Sequence, residues 1–152
     1  MFKKILVPLD GSKLAEKALP YAESLAQKYE AELILVWVLQ RPILVPLDYG
    51  GTLPALEIIN AQEDQAATQY LNQLQAQFRQ REIRTRVAVL ESASVADAII
   101  EMANREKADV IVKTTHGRSG PSRWIFGNVA LKVLQEASCP VFLVRVSSDD
   151  LG

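Results

Sequence analysis

The sequence predicts an α/β fold in which a five-stranded parallel sheet carries helices on both faces. Two observations lead to this prediction. Short apolar runs alternate along the chain with longer segments in which apolar residues recur every three or four positions. The apolar runs are continuous, which is typical of parallel strands buried on both faces. The 152 residues suit one domain, which we assign to residues 1–147, with a C-terminal tail at 148–152.

The first half of the chain supplies two strands and two helices. An apolar run at residues 3–8 predicts the first strand, and the turn PLDGS follows it. Ser12 is expected to cap the next helix, and Pro20 is expected to kink that helix or loosen one turn. The second strand is predicted at 31–39, and a long helix at 55–80.

The second half repeats the alternation. A third strand is predicted at 84–90, and Ser94 has the position of an N-cap before the following helix. The fourth strand is predicted at 109–115. After a glycine-containing loop, Asn128 is expected to cap the last helix, and the fifth strand is predicted at 141–146.

The hexapeptide ILVPLD occurs twice, at residues 5–10 and 43–48. The residues around the two copies do not match, so we interpret the repetition as coincidence rather than as an internal repeat. The first copy is a strand that runs into a capped helix. The second lies in an apolar, proline-flanked loop at 41–54, where a central strand is disfavoured. Such loops are often lids or contact surfaces, and the role of this one stays open.

Composition narrows the class of function. The net charge of −1 provides no general attraction for nucleic acid. No apolar run approaches the ~18 residues of a membrane span, and the N-terminus lacks a signal-peptide core. Cys139 is the one cysteine, so we predict a cytoplasmic protein without disulfides. Phosphate-loop, nucleophile-elbow and metal-site motifs are absent from the sequence. We therefore predict a protein whose main function is not that of an enzyme, and slow hydrolysis of a bound ligand would be at most a side activity.

One segment suggests an anion site. Residues 111–135 contain four basic residues and no acidic one, and they lead into the start of the last helix. Free N–H groups and the helix dipole favour a phosphate at such a position. The competing interpretation is a flexible surface loop with scattered basic residues, and composition alone does not separate the two. The basic residues are Lys113, Arg118, Arg123 and Lys132.

Two of the predicted strands end in polar or glycine-containing loops. These loops are PLDGS after the first strand and TTHGRSG after the fourth. In parallel sheets ligands bind beyond the carboxyl ends of the strands, where the winding direction reverses. If these two strands are neighbours, the loops share one crevice. We expect that crevice to be lined by Asp10, Thr114, Gly117, Gly127 and Asn128. The lone His116 in the second loop is expected to order the loop through a hydrogen bond rather than to act in catalysis.

Three stretches of the sequence resemble a known family. ILVPLDGS near the start, ADVIVKTTHGRSG with GNVALKVL, and the closing ASCPVFLV are similar to the universal stress protein family, and the resemblance covers essentially the whole chain. It implies the Rossmann-like fold of the adenine nucleotide alpha hydrolase type. It also implies a homodimer paired through the last strand, here 141–146. Many members bind ATP through a motif of Gly, two residues, Gly, nine residues, then Gly followed by Ser or Thr.

The resemblance implies a set of nucleotide contacts. The segment from Pro8 to Asp10 would line the adenosine, with Asp10 near the ribose or a magnesium ion bound by the nucleotide, and the backbone of Val38 would meet adenine. Two alternatives stay open: Asp10 caps the turn before Ser12, and Val38 belongs only to the core. The residues implied in nucleotide binding are Pro8, Leu9, Asp10, Val38, Lys113, Thr114, Gly117, Arg118, Gly127, Asn128 and Val129.

The chain departs from the family pattern at five positions. Thr114 replaces the first motif glycine, Asn128 replaces the Ser or Thr, and Lys113 stands where members have an apolar residue near adenine. Ala93 replaces a glycine, and Trp37 replaces a common histidine. We expect Thr114 to continue the fourth strand with its side chain toward the phosphates or ribose, which weakens binding without abolishing it.

The sequence therefore favours a cytoplasmic stress-response dimer that binds an adenine nucleotide, with ATP and magnesium as the first choice. The alternative is a nucleotide-free interaction module on the same scaffold, with a protein partner that the sequence does not name.

Overall fold

The structure, a computed structural model, describes residues 1–42, 53–116 and 127–151. Within these residues the strands are β1 (Lys4–Leu9), β2 (Glu32–Gln40), β3 (Thr85–Ser92), β4 (Val110–Thr114) and β5 (Val141–Val144). The helices are α1 (Lys13–Glu16), α2 (Leu19–Tyr29), α3 (Leu53–Gln80), α4 (Val95–Glu106) and α5 (Asn128–Glu136), and a 3-10 helix spans Ser148–Leu151. The second copy of ILVPLD lies outside the described residues.

The five strands form one parallel sheet in the order β3-β2-β1-β4-β5. The winding direction reverses between β1 and β4, so the predicted crevice position lies between neighbouring strands. Successive strand residues alternate between two cores: Ile5 and Val7 pack under α2 and α3, whereas Leu6 packs under α4 and α5. The predicted fold class is confirmed.

The capping and breaking signals act as predicted. The Ser12 hydroxyl accepts a hydrogen bond from the Ala15 N–H at 3.1 Å, and the Ser94 hydroxyl accepts one from Asp97 N–H at 3.3 Å. Pro20 lies in the first turn of α2, and the helical segment is divided into α1 and α2 just before it. Proline at a helix start is tolerated because its missing N–H would be unsatisfied there anyway.

Two predicted boundaries are wrong. Asn128 is not the cap of α5 but its first residue; the cap is Gly127, which has no side chain to bond to the helix start. The reason is a close approach, because the Gly127 N–H donates to Thr115 O at 2.9 Å and a Cβ on Gly127 would lie 3.0 Å from that oxygen. The fifth strand ends at Val144, because the Val146 N–H leaves the ladder for the Thr115 hydroxyl at 3.2 Å.

Candidate functional site

The two polar strand ends meet at the centre of the sheet. β1 pairs with β4 through Ile5–Val110 and Leu6–Ile111, so PLDGS and the loop after Thr114 leave neighbouring strands at the same edge. The start of α5 reaches the same place through the Gly127 N–H bond to Thr115 O. The strand ends and Gly127 therefore lie at one edge of the sheet, and the pocket that they are predicted to line stays a prediction. Gly117 and Arg118 lie outside the described residues.

The end of β1 is held by an aromatic cluster. Gly11 has φ +80°, and a Cβ there would lie 2.5 Å from Cη2 of Trp37. The Trp37 ring packs edge-on against Tyr70 at 5.4 Å, and the Tyr70 hydroxyl donates to Glu16 Oε1 at 2.8 Å. Burial raises the pKa of Tyr70, and the bond to Glu16 and the charges of Glu16 and Asp10 add to that rise. The turn that carries Asp10 is thus supported by α1, β2 and α3.

The Asp10 carboxylate takes part in the turn itself. Its Oδ1 accepts a hydrogen bond from the Ser12 N–H at 2.9 Å, which is the turn-capping role weighed in the sequence. A carboxylate has about four acceptor positions, so accepting from Ser12 does not by itself exclude a second role. The two roles of Asp10 are therefore compatible.

The end of β4 is held by hydrogen bonds. Thr114 is the last residue of β4 and is not among the described residues with positive φ, as predicted. Its hydroxyl donates to His116 O at 2.5 Å. The Thr115 hydroxyl lies 3.1 Å from His116 Nδ1, which provides the loop-ordering bond expected for that histidine. All three side chains are buried.

Lys113 is a buried cation at this strand end. Its side chain is 8% exposed, and Nζ donates to Thr114 O at 2.8 Å. Burial lowers the pKa of Lys113 to about 8, and the charge of Asp10 opposes that shift. Asp10, just after the end of β1, is therefore near enough to Lys113 on β4 for its negative charge to act on the ammonium group.

Lys132, the other described basic residue of 111–135, is engaged in an ion pair with a neighbouring helix. Lys132 Nζ lies 2.8 Å from Asp97 Oδ1, an ion pair between α5 and α4 that lowers the pKa of Asp97 and raises that of Lys132. The sequence suggested that four basic residues together form an anion site. Lys132 does not fit this expectation, because Asp97 on α4 balances its charge. Arg123, like Arg118, lies outside the described residues.

The apolar residues predicted to line the adenosine are buried. Leu9 is 4% exposed in the core beneath α2 and α3, and Val38 is 8% exposed in the core beneath α4. Pro8 is also buried. Their side chains serve the core, so contact with a ligand at Val38 would come from its backbone. Val129 packs at the border of the core beneath α4 and α5.

Sequence reasoning missed the support of the β1 end by Trp37, Tyr70 and Glu16. The three residues come from three elements far apart in the chain, and no local spacing links them. The one signal was the glycine after Asp10, because a glycine in a strand-to-helix turn permits both positive φ and a close neighbour. In the described part of the chain no group of His, Cys, Asp and Glu side chains is arranged to hold a metal ion.

Comparison with known proteins now bears on the site. A model of the universal stress protein family matches residues 1–145. The chain belongs to the universal stress protein family. It is 34% identical to a universal stress protein of Thermus aquaticus over 95% of this chain and 100% of that protein. Universal stress protein UspA from Lactobacillus plantarum superposes with a TM-score of 0.83 at 24% identity, covering 95% of this chain and 98% of that one.

Two further solved family structures carry ligands. One is a universal stress protein family protein from Arabidopsis thaliana with AMP bound, at 13% identity and a TM-score of 0.69, covering 99% of this chain and 95% of that one. The other is a universal stress protein in complex with cAMP, at 20% identity and a TM-score of 0.60, covering 96% and 98%. At these identities the likeness establishes the shared fold, which is the adenine nucleotide alpha hydrolase-like α/β fold.

None of the helices in the described part of the chain has the length and apolar character that a membrane span requires.

Proposed function

We propose that this universal stress protein binds an adenine nucleotide, with ATP as the first choice, in the crevice between the ends of β1 and β4. The observation that carries the proposal is the convergence there of Asp10, the end of β4 and the tight start of α5 at Gly127. Family structures with AMP and cAMP bound support the class of ligand. The N–H groups in the first turn of α5, including that of Val129, point in the direction that suits phosphates.

Asp10 is the proposed contact for the ribose or for a magnesium ion bound by the nucleotide. Its carboxylate lies just after the end of β1, in the turn that it caps through the Ser12 N–H. Magnesium is usually held by one or two carboxylates together with phosphate oxygens and water, so a single aspartate suits a nucleotide-borne ion. The proposed role of the protein is to report a bound state in a cytoplasmic stress response, rather than to turn over substrate.

The assembly we propose is a homodimer through the last strand. β5 is an edge strand, and edge strands expose unpaired N–H and C=O groups that a second copy satisfies with two-fold symmetry. Phe142, on β5 itself, is 41% exposed, and its ring lies 5.6 Å from that of Tyr21 on α2, which is 49% exposed. These two rings give the edge an apolar flank that pairing would cover.

Light scattering at micromolar concentration tests the assembly. We expect twice the chain mass for the wild type and a shift toward the monomer for Phe142→Glu, because a charge on the flank opposes burial. Ile58→Glu, at a 60% exposed position on α3, is the matched control and should leave the mass unchanged. A wild type of single-chain mass would reject the dimer.

Calorimetry with ATP, AMP and cAMP tests the nucleotide site. Thr114→Gly should tighten ATP binding by removing the side chain at the end of β4. Thr114→Ser is the matched control, because it keeps the hydroxyl that donates to His116 O and removes only the methyl group. Gly117→Val should abolish binding, an expectation that rests on the family motif.

The second candidate is a nucleotide-free interaction module. It is favoured by Lys113, which occupies the crevice mouth with its own hydrogen bond to Thr114 O, and by exposed Ile58 and Ile59 on α3. No heat for any adenine nucleotide, with the wild type and with Thr114→Gly, would replace the first proposal with this one.

A further inference from the structure

β3 forms the edge of the sheet opposite β5. The strand order β3-β2-β1-β4-β5 leaves one side of β3 without a neighbouring strand among the described residues. β3 is also the longer edge, with eight residues against four in β5. An open edge of this kind presents backbone N–H and C=O groups that can pair with another chain.

The ladder with β2 fixes which residues of β3 face outward. In a parallel strand the N–H and C=O groups of one residue point to the same neighbour, and those of the next residue point to the other side. Leu33 N–H donates to Arg84 O at 2.8 Å, so the even-numbered residues face β2. The bond from Arg41 N–H to Ser92 O keeps this alternation at the far end. The outward-facing residues are Thr85, Val87, Val89 and Glu91.

One outward group of β3 already has a partner. Gln75 on α3 donates from Nε2 to Thr85 O at 2.8 Å. In the described part of the chain no other hydrogen bond reaches the outward N–H and C=O groups of β3. The side chains of Val87 and Val89 pack against the core beneath α2 and α3, so the middle of the edge is apolar.

α3 runs antiparallel to β3 along this edge. Gln75, near the C-terminus of α3, bonds to Thr85 at the start of β3. Arg41 joins the two elements at their other ends, because it pairs with Asp64 of α3 at 3.0 Å and also with Glu91 of β3. The start of α3 therefore lies level with the end of β3, and the end of α3 lies level with the start of β3.

The end of β3 and the first half of α3 form an acidic end, which consists of Glu63, Asp64 and Glu91. Among the described residues, Arg41 is the one cation paired with these three carboxylates. Glu63 is held at 3.9 Å from Arg41, and its side chain is 53% exposed. The acidic end therefore keeps an excess of negative charge.

The start of β3 and the end of α3 form a basic end. A cleft of about 440 Å³ there is lined by three arginines and two glutamates. These residues are Arg79, Arg84, Arg86, Glu32 and Glu82. Arg86 is already paired with Glu32 and Glu106. Arg79 is exposed and makes no ion pair or side-chain hydrogen bond with the described residues, so its charge is available to a partner.

We propose that β3 pairs antiparallel with β3 of a second copy of the chain, centred on Ala88. In this register Val87 of one copy lies opposite Val89 of the other, so outward-facing groups meet outward-facing groups. The two-fold axis places the acidic end of each copy against the basic end of the other. Glu63 of α3 then lies on the same face of the joined sheet as Arg79 of the second copy, and the charges are self-complementary.

This interface is separate from the one proposed through β5 and does not depend on nucleotide binding. The two strands form opposite edges of the sheet, so pairing at both permits assembly beyond a dimer. Exposed ion pairs contribute little each, and the apolar centre is short. We therefore expect the β3 contact to be the weaker one, with a dissociation constant of about 0.1–1 mM.

Analytical ultracentrifugation of the full chain tests the pairing. In the Phe142→Glu background, which is designed to block the β5 edge, we expect the mass to double between micromolar concentration and about 1 mM. Val89→Pro should abolish this rise, because proline removes an outward N–H that the ladder with β2 does not use. Val89→Thr keeps the N–H and is the matched control, so it should associate like the parent.

A charge exchange tests the orientation of the two copies. Arg79→Glu and Glu63→Lys each place like charges at both contacts of the two-fold pair, so each variant alone should associate about tenfold more weakly. An equimolar mixture of the two places opposite charges at both contacts, and its association should return to the parent value. Both positions are on the surface of α3, so neither change should disturb the fold.

Three results would overturn the proposal. The first is a parent protein whose mass stays constant up to about 1 mM. The second is a rise in mass that Val89→Pro leaves unchanged, because the contact would then lie elsewhere on the molecule. The third is a mixture of the charge variants that associates no more strongly than either variant alone.

Discussion

The ends of β1 and β4 lie side by side at the same crevice and are stabilised in different ways. The turn after β1 is fixed from outside, because Trp37 fills the space over Gly11 and Tyr70 ties the cluster to α1 through Glu16. The end of β4 is fixed by hydrogen bonds, both among residues 113–116 and from the N–H groups of Gly127 and Val146 to Thr115. A turn supported by close packing tolerates little added volume, whereas a turn supported by hydrogen bonds is sensitive to the loss of donors and acceptors.

Alanine substitutions at Gly11 and Gly127 should give the largest difference between the two strand ends. Gly11→Ala should lower the free energy of unfolding by about 3 kcal/mol, because Ala is disfavoured at φ +80° and its Cβ would overlap Trp37. Gly127→Ala keeps an ordinary φ and meets one backbone oxygen at 3.0 Å, so about 1 kcal/mol is expected. Urea denaturation measures both. Equal losses would show that the two ends are equally constrained.

Removing the buried charge from the β4 end should stabilise the protein. The folded-state pKa of Lys113 is lowered to about 8 from 10.5. Below pH 8 the ammonium is held at the full cost of burial, on the order of 3 kcal/mol for such a shift. Between pH 8 and 10.5 the folded chain releases a proton that the unfolded chain still binds, so this cost falls as pH rises.

The expected result is that Lys113→Met unfolds at higher urea concentration than the wild type at pH 7, by about 2–3 kcal/mol in free energy. The advantage should shrink in measurements at pH 9 to 10. Comparison of the two proteins at each pH cancels the titration of shared groups. An advantage that stays constant across this range would mean that the Lys113 amine is not desolvated in the folded state.

Tyr70→Phe tests how much the hydrogen bond to Glu16 contributes at the end of β1. It removes the hydroxyl that donates to Glu16 but keeps the ring that packs on Trp37. A lost bond to a charged acceptor should cost about 1.5 kcal/mol. Tyr29→Phe is the control, since its partly exposed ring contacts Phe2 and its loss should be small. In an absorbance titration of the wild type, Tyr70 should ionise above the ordinary range of a tyrosine, since burial and the bond to Glu16 raise its pKa.

Local sequence patterns predicted the elements of this fold and one feature of the site. Apolar runs and caps are short-range signals, so Ser12 and Ser94 were placed correctly, and Thr114 continues its strand because a β-branched residue disfavours positive φ. The cap of α5 was misplaced by one residue because Gly127 is fixed by a contact with Thr115, which the linear pattern does not contain.

Charges and packing between elements were less predictable. The basic residues of 111–135 look alike in sequence, yet Lys113 is buried in the crevice and Lys132 is paired with Asp97 on α4. The support of Gly11 by Trp37 requires the register of β2 against β1. Such pairings depend on how helices and strands dock, and they become visible only in three dimensions.

The smallest expected effect tests whether the crevice feels charges outside its mouth. Lys132→Met removes a cation that lies 2.8 Å from Asp97 Oδ1, with both side chains partly exposed to solvent. Exposed ion pairs contribute little, and the positive charge is already balanced by its partner. We therefore expect the dissociation constant for ATP at about 0.15 M salt to change less than about twofold, where charges beyond ~8 Å are screened. Asp97→Asn, which releases Lys132 from its pair, is the matched variant and should likewise leave the affinity near its wild-type value. A tenfold weakening in Lys132→Met would show that its charge reaches the phosphates, and the whole basic segment would then be the anion site rather than the mouth between β1 and β4.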